Sequence, residues 1–342
     1  MDIVERYKVL NTSYDKVLIY HLGIDAGFFT EYTYMLHAML YCLQHKIQFK
    51  LYSDDANFRY DKGWSDFFLS FCEEVHESFH HKYNKHRLPL WKVILRNKDW
   101  KVAQWKMKCG VLNILGDFNA WKFYRKRVLL NHHIQFNADS HFYVPELGLD
   151  GDYFDAFKMM VDITWRFNIE TERDVMTLIQ GLKLPEGYVG CQVRAGDKVI
   201  ETELLSPELY VQVLEKRACV KNIFVLTDDY QVFKMLQMKS PNNLWYTLCD
   251  DIEGGYVNNV FSRQIGERKK RQMIRFIASM QILMKASFFI GSITTAPSLF
   301  LLKLFCPNHC PIDCSSEIFE RVACLRMDER CRIAKNYLSG CN

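Results

Sequence analysis

"YVGCQVRAGDKVIETELL", residues 188–205, changes character partway along. Its first six residues read as a short buried strand, with Gln192 the one polar member. Arg194, Asp197, Lys198, Glu201 and Glu203 then follow within ten residues. A buried strand that opens straight into a charged loop fits an open parallel sheet, where ligands sit outside the carboxyl ends of the strands. Five other runs are short, apolar and rich in β-formers, and each is followed by turn residues. They are "KVLIYHLG" (16–23), "IQFKLYS" (47–53), "NIFVLTDD" (222–229), "LWYTLCDD" (244–251) and "SFFIGS" (287–292). Between them, "EYTYMLHAMLYCLQHK" (31–46), "LYVQVLEKRA" (209–218), "DYQVFKMLQMK" (229–239) and "KKRQMIRFIASMQILMKA" (269–286) carry apolar residues at three- and four-residue spacing. Strands alternating with helices predict an α/β fold whose parallel sheets are covered on both faces.

A chain of 342 residues exceeds what one core usually holds. The alternation is clear near the N-terminus and resumes near residue 186. The region 65–185 between them is rich in Trp, Phe, His and Lys and reads as mostly helical or irregular. "GLKLPEGY" (181–188) is the best linker, because Gly, Pro and Gly fall together. The expectation is two α/β domains, residues 1–185 and 186–342, facing each other with the ligand in a central cleft.

The net charge of +4 is spread along the chain, and no nucleic-acid module is present. A nucleic-acid partner is therefore not expected. "MDIVERYKVLNTSYDK" lacks the apolar segment of a secretory signal. "MQILMKASFFIGSITTAPSLFLLKLF" is interrupted by Lys285, Ser287 and a Ser/Thr/Pro cluster, so no transmembrane segment is expected. Of twelve cysteines, six (Cys306, Cys310, Cys314, Cys324, Cys331 and Cys341) crowd the C-terminal tail. They read as free, partly buried thiols, with a metal site or disulfides as alternatives. Together these features suggest a soluble, cytoplasmic protein.

Arg194 and Lys198 are two cations close enough to grip a phosphate or pyrophosphate, and Gly196 would let the backbone approach it. A surface loop that pairs with itself is the competing reading. Asp228 and Asp229 end the next strand. Either could cap the following helix, or orient Arg194 or a sugar hydroxyl, and the pair can divide these roles. Ser292, Thr294 and Thr295 follow Gly291 ahead of a helix, an arrangement that can cradle an anion. "ERKKRQMIR" (267–275) reads as a solvated helix face, with anion binding as the second reading. Asp150-Gly151-Asp152 reads as a turn rather than a metal site. The segment "HLGIDAGFFTEYTYMLHAML" is not a dinucleotide fingerprint.

Four segments taken in order resemble the α1,6-fucosyltransferase family, which includes the animal core N-glycan enzymes and the rhizobial Nod-factor enzymes. They are "GIDAGFFTEYTYMLHAMLYC", "LYSDDANFRYDKGWSDFF", "VGCQVRAGDKVIETE", and "IFVLTDD" with "ASMQILMKASFFIGSITTAPS". The resemblance implies a GT-B fold of two Rossmann-like domains with a central cleft, with GDP-fucose held by the C-terminal domain and a glycan acceptor by the N-terminal one. The acceptor could be an oligosaccharide, a lipid-linked glycan or a glycoprotein. Transfer would be metal-independent and inverting, with no cofactor.

Residue by residue, Arg194 and Lys198 match the family's essential cations, and Asp228 and Asp229 its Asp-Asp pair. Asp197 belongs to the Asp-Lys step, and Thr295 falls where a Ser contacts the phosphates. Three positions depart from the pattern. Gln192 stands where the family has a His near the nucleotide, Ala195 replaces a second Arg, and Ser279 falls where an Asp recognises guanine. The family's proposed base is a Glu just after Asp-Lys. Direct counting lands on Thr202, between Glu201 and Glu203, while the spacing to Tyr210 favours Glu201. A transferase of the same fold using another nucleotide sugar and a non-catalytic glycan-binding relative are the alternatives.

Overall fold

The computed structural model describes residues 1–23, 26–77, 80–81, 134–195, 205–217, 221–305 and 308–340. The protein is an α/β chain built on parallel sheets. Strands β1 (Lys16–His21) and β2 (Ile47–Tyr52) pair in parallel, in register from Lys16↔Ile47 to His21↔Tyr52. Helix α1 (Ile3–Thr12) precedes β1, and α2 (Phe28–Gln44) crosses between the two strands. Asn11 of α1 seals the backbone of Phe49 in β2: its Nδ2 donates to the Phe49 carbonyl (2.9 Å) and its Oδ1 accepts the Phe49 N–H (2.7 Å). An amide side chain that mimics a backbone partner in this way keeps the strand from seeking another.

A short antiparallel hairpin, β3 (Phe142–Val144) and β4 (Leu149–Gly151), lies in the region read from sequence as helical or irregular. Three-residue strands are too short to show a period. Helices α3 (Tyr153–Thr164) and α4 (Ile169–Leu182) follow, and α4 leads through residues 183–188 into the main sheet. Asp152 caps α3 by accepting from the N–H groups of Phe154 (2.7 Å) and Asp155 (3.0 Å), while Asp150 pairs with His141. Asp150-Gly151-Asp152 is thus a strand end running into a helix cap. No group of three or more potential metal ligands occurs among the described residues.

The main sheet has five parallel strands in the order β7-β6-β5-β8-β9. These are β5 (Val189–Val193), β6 (Asn222–Thr227), β7 (Leu244–Tyr246), β8 (Phe288–Gly291) and β9 (His309–Pro311). They alternate with α5 (Pro207–Arg217), α6 (Tyr230–Lys239), α7 (Asn258–Ser262), α8 (Gly266–Leu283) and α9 (Ala296–Leu304); α10 (Phe319–Ala323) and α11 (Met327–Gly340) close the chain.

Side chains alternate across the sheet as strand geometry requires. Val189, Cys191, Val193, Ile223, Val225 and Ile290 join one core with Tyr210 and Leu214 of α5 and Leu236 of α6. Phe224 and Phe289 point to the other face and join Ile277 of α8 and Leu302 of α9. On that face β5 offers Gly190 and Gln192. A Cβ at Gly190 would lie 2.8 Å from Leu283 Cδ2, so the glycine is what allows α8 to sit this close to β5.

The second core is continuous with the N-terminal half. Phe300 of α9 packs 4.6 Å from Phe29 of α2, centroid to centroid, and Trp165 Nε1 donates to Gln281 of α8 (2.9 Å). A buried polar chain crosses the same junction. Lys303 of α9 donates to the Tyr153 hydroxyl (2.7 Å), and the Tyr153 O–H meets His37 Nε2 (2.7 Å). His37 Nδ1 lies 3.2 Å from the Ile134 carbonyl. The Ile134 carbonyl requires a proton on Nδ1, and burial beside Lys303 favours the neutral ring. Among the described residues no helix is long and apolar enough to cross a membrane, and the described cysteines are unbridged.

Candidate functional site

The chain runs β5, β6, β7 toward one edge of the main sheet, then returns to place β8 on the other side of β5. The crossing between β5 and β8 is a topological switch point, where the loops leave in opposite directions and open a crevice at the carboxyl ends of the strands. Arg194 stands at the end of β5, Asp228 and Asp229 at the end of β6, and Ser292, Thr294 and Thr295 at the end of β8.

Asp228 binds Arg194 in an ion pair, with both side chains largely buried. Its Oδ1 also accepts the Ala195 N–H (2.8 Å), and its Oδ2 the Tyr256 N–H (2.9 Å). The Asp228 carbonyl accepts from Gly255 (2.8 Å). With this set of partners the carboxylate serves as an internal clip that aims the guanidinium. The Arg194 guanidinium carbon lies 5.0 Å from the centroid of the Tyr256 ring, a cation–π contact that restrains it on a second side. Asp229 does a different job: its side chain accepts from Gln231 N–H (2.8 Å) and caps α6.

On the other side of the crevice the hydroxyls face inward. Ser292 Oγ donates to the fully buried Asp313 (2.5 Å) and lies 2.6 Å from Thr294 Oγ1. Thr295 Oγ1 donates to Gln192 Oε1 (2.8 Å), tying the start of α9 to β5. What remains at this edge is backbone at the N-terminus of α9, where the N–H groups of a helix's first turn favour an anion. Desolvation pushes the Asp313 carboxyl above its ordinary value, opposed by the hydrogen bonds from Ser292 and Ile293.

Ser279 lies buried on α8, its hydroxyl bonded to the Arg275 carbonyl one turn back (2.9 Å). Tyr210 is buried in the core beneath β5. In the basic run 267–275, Lys269, Lys270 and Arg275 make structural contacts. Lys269 is buried, donates to the Ser262 carbonyl (3.3 Å) and lies over the Phe261 ring. Lys270 pairs with Glu170. Arg275 pairs with Asp250 and Glu253, which holds the 250–253 turn behind Tyr256, and the Arg275 hydrogen bond keeps the Asp250 carboxyl below its usual value. Asp197, Lys198, Glu201 and Glu203 lie outside the described residues.

Reading the sequence missed Tyr256, Asp313 and Arg330, whose Nη1 donates to the Ile293 carbonyl. Each reaches the crevice from a distant segment and carries no local motif. Only the acidic position following β9, itself at the end of a strand, offered a signal.

No family model and no curated protein matches the chain. Solved structures do. NodZ alpha-1,6-fucosyltransferase co-crystallised with GDP is 11% identical over 84% of this chain and 92% of that chain, with a TM-score of 0.46. Fucosyltransferase NodZ from Bradyrhizobium is 10% identical over 84% and 93%, with a TM-score of 0.48. POFUT1 in its apo form is 11% identical over 85% and 94%, with a TM-score of 0.42. The chain is similar to these proteins in the overall course of its α/β fold.

Proposed function

We propose that the protein is an inverting glycosyltransferase that moves fucose from GDP-fucose to a hydroxyl of a glycan acceptor. The observation that carries the reading is Arg194, held by Asp228 and Tyr256 at the end of β5 beside the switch point, with α9 starting after the neighbouring strand β8. A fixed cation and a helix N-terminus at the ends of adjacent strands suit a diphosphate, and the sequence resemblance names the fucosyl donor. The C-terminal half (186–342) holds that donor, and the N-terminal half (1–185) presents the acceptor, whether an oligosaccharide, a lipid-linked glycan or a glycoprotein. The reaction takes place in the cytoplasm.

In the transfer, the bond from the fucose anomeric carbon to the β-phosphate oxygen breaks, and its electrons go to that oxygen. Arg194, Lys198 and the backbone at the start of α9 stabilise the charge that develops there. The acceptor oxygen bonds to the anomeric carbon from the opposite face, and its proton passes to Glu201 or Glu203. The leaving group is already anionic and needs no general acid, in contrast to the paired carboxylates of inverting glycosidases.

A second reading keeps the chemistry and changes the base of the nucleotide. Ser279 is buried and bonded to backbone, so recognition of guanine by that position has no support. A thermal-shift panel of GDP, UDP and ADP separates the two readings: a rise in Tm confined to GDP supports the first. Donor hydrolysis and transfer assays with GDP-fucose against a glycan array then test the activity. Neither hydrolysis nor transfer, with glycan binding intact, would point to a lectin-like protein.

A further inference from the structure

The loop between β8 and α9 is where the reading above places the donor diphosphate, and the inference here rests on that reading. Three side chains control its backbone, Asp313 and Arg330 from behind the loop and Ser292 within it. Asp313 Oδ1 accepts the Ile293 N–H (2.9 Å), and its Oδ2 accepts from Ser292 Oγ (2.5 Å). Arg330 of α11 donates through Nη1 to the Ile293 carbonyl and through Nε to the Leu325 carbonyl (3.2 Å). Ser292 Oγ also accepts the Thr294 N–H (3.0 Å).

The consequence follows from peptide planarity. The Ile293 N–H belongs to one peptide unit. The Ile293 carbonyl and the Thr294 N–H belong to the next, on opposite edges of one plane. Asp313 fixes the first unit, and Arg330 and Ser292 fix both edges of the second. Two consecutive planes are therefore set before the chain enters α9, which sets the direction in which the first turn presents the N–H groups of Ala296 and Ser298, Pro297 between them having none. Gln192 pins the far end through Thr295. The hydroxyls of Ser292 and Thr295 are engaged in holding the loop.

We propose that Asp313 and Arg330 are positioning residues for the donor, acting through the Ile293 peptide so that the diphosphate is received by backbone N–H groups at the start of α9. Neither residue touches the donor. Preorganised donors lose their advantage when their direction drifts, and misplacement by about an ångström can weaken function about a hundredfold.

The test is calorimetric titration of GDP into the full-length wild type, Asp313→Asn, Arg330→Met and Arg330→Lys, with the Tm of each. Asp313→Asn keeps an oxygen for the Ile293 N–H and loses the anionic acceptor for Ser292. Arg330→Lys keeps a donor for the Ile293 carbonyl. GDP affinity should fall about tenfold or more in Asp313→Asn and Arg330→Met, measured well below their Tm, with partial recovery in Arg330→Lys. If Asp313→Asn does not fold, Ser292→Ala removes the same hydrogen bond without altering the buried carboxylate, and it too should weaken GDP. Folded variants that bind GDP as the wild type does would show a purely structural role and overturn the proposal. A wild type that binds no GDP would overturn the functional reading, and this inference with it.

Discussion

Arg194 gains its direction from groups far away in sequence. Asp228 arrives from the next strand and Tyr256 from a loop beyond β7. The planar guanidinium suits this clip because it can pair with a carboxylate and still stack on a ring, whereas an ammonium would do neither as well. Arg194→Lys should therefore behave nearly as badly as Arg194→Ala. Both should lower kcat/KM with GDP-fucose by about a hundredfold or more in steady-state kinetics, and Arg194→Ala, which leaves the largely buried Asp228 carboxylate without its cation, should also lower Tm in thermal unfolding. An Arg194→Lys enzyme with near-normal turnover would refute the role of the clip. Asp229, beside it, is a helix cap. Asp229→Ala should cost about 1 kcal/mol of stability, read by urea unfolding, with donor affinity unchanged.

At the scale of elements, the packing of α8 on β5 depends on Gly190. Valine there would drive its methyls into Leu283 and should destabilise the protein by about 1–3 kcal/mol, measured by denaturant unfolding. The α2–α3–α9 junction carries the buried chain Lys303–Tyr153–His37. Burial lowers Lys303 to about 8 and His37 to about 3, the nearby Lys303 charge adding to the effect on the imidazole. Both groups are bases whose folded values lie below their unfolded ones. Over pH 3 to 6.5 the unfolded state binds the His37 proton and the folded state does not, so stability falls as pH falls across that window, by up to about 1.4 kcal/mol per pH unit. Replacing His37 with Gln keeps a hydrogen-bonding side chain and removes the titration. The Tm difference between wild type and His37→Gln should shift steadily in favour of the variant as pH drops from 6.5 to 4, and a pH-independent difference would contradict this. Across pH 8 to 10.5 Lys303 has the same sign: stability is lower on the acid side.

In the molecule as a whole, the two parallel sheets share one continuous apolar core through α2, α8 and α9. Phe300 sits at the join, against Phe29, Tyr32 and Phe157. Differential scanning calorimetry should show one unfolding transition. Phe300→Ala should lower the stability of the whole by about 3–5 kcal/mol. Two resolved transitions, only one of them shifted by Phe300→Ala, would show that the halves unfold separately.

Four of the five strands of the main sheet were legible in the sequence because each is a short apolar run that ends in turn residues, whereas β9, three residues long, was not read. The six runs read from sequence end within a few residues of β1, β2 and β5 to β8. The alternation of these runs with helical periods specified an α/β chain of parallel sheets. It also placed Arg194, Asp228 and the Ser292–Thr295 loop along one edge of the sheet, since in such a sheet strand ends share one edge. The β3–β4 hairpin was hidden because its strands are shorter than any detectable period. The roles within the site were hidden for a different reason. Whether Asp228 clips Arg194, whether Ser292 faces out or in, and whether Asp313 and Arg330 lie behind the Ile293 peptide depend on residues brought together from segments up to 37 positions apart. Local periodicity fixes which elements form and which face each buries. The partner that a buried hydroxyl or carboxylate finds is decided by tertiary packing, because a polar group out of water must take whichever donor or acceptor the fold delivers to it.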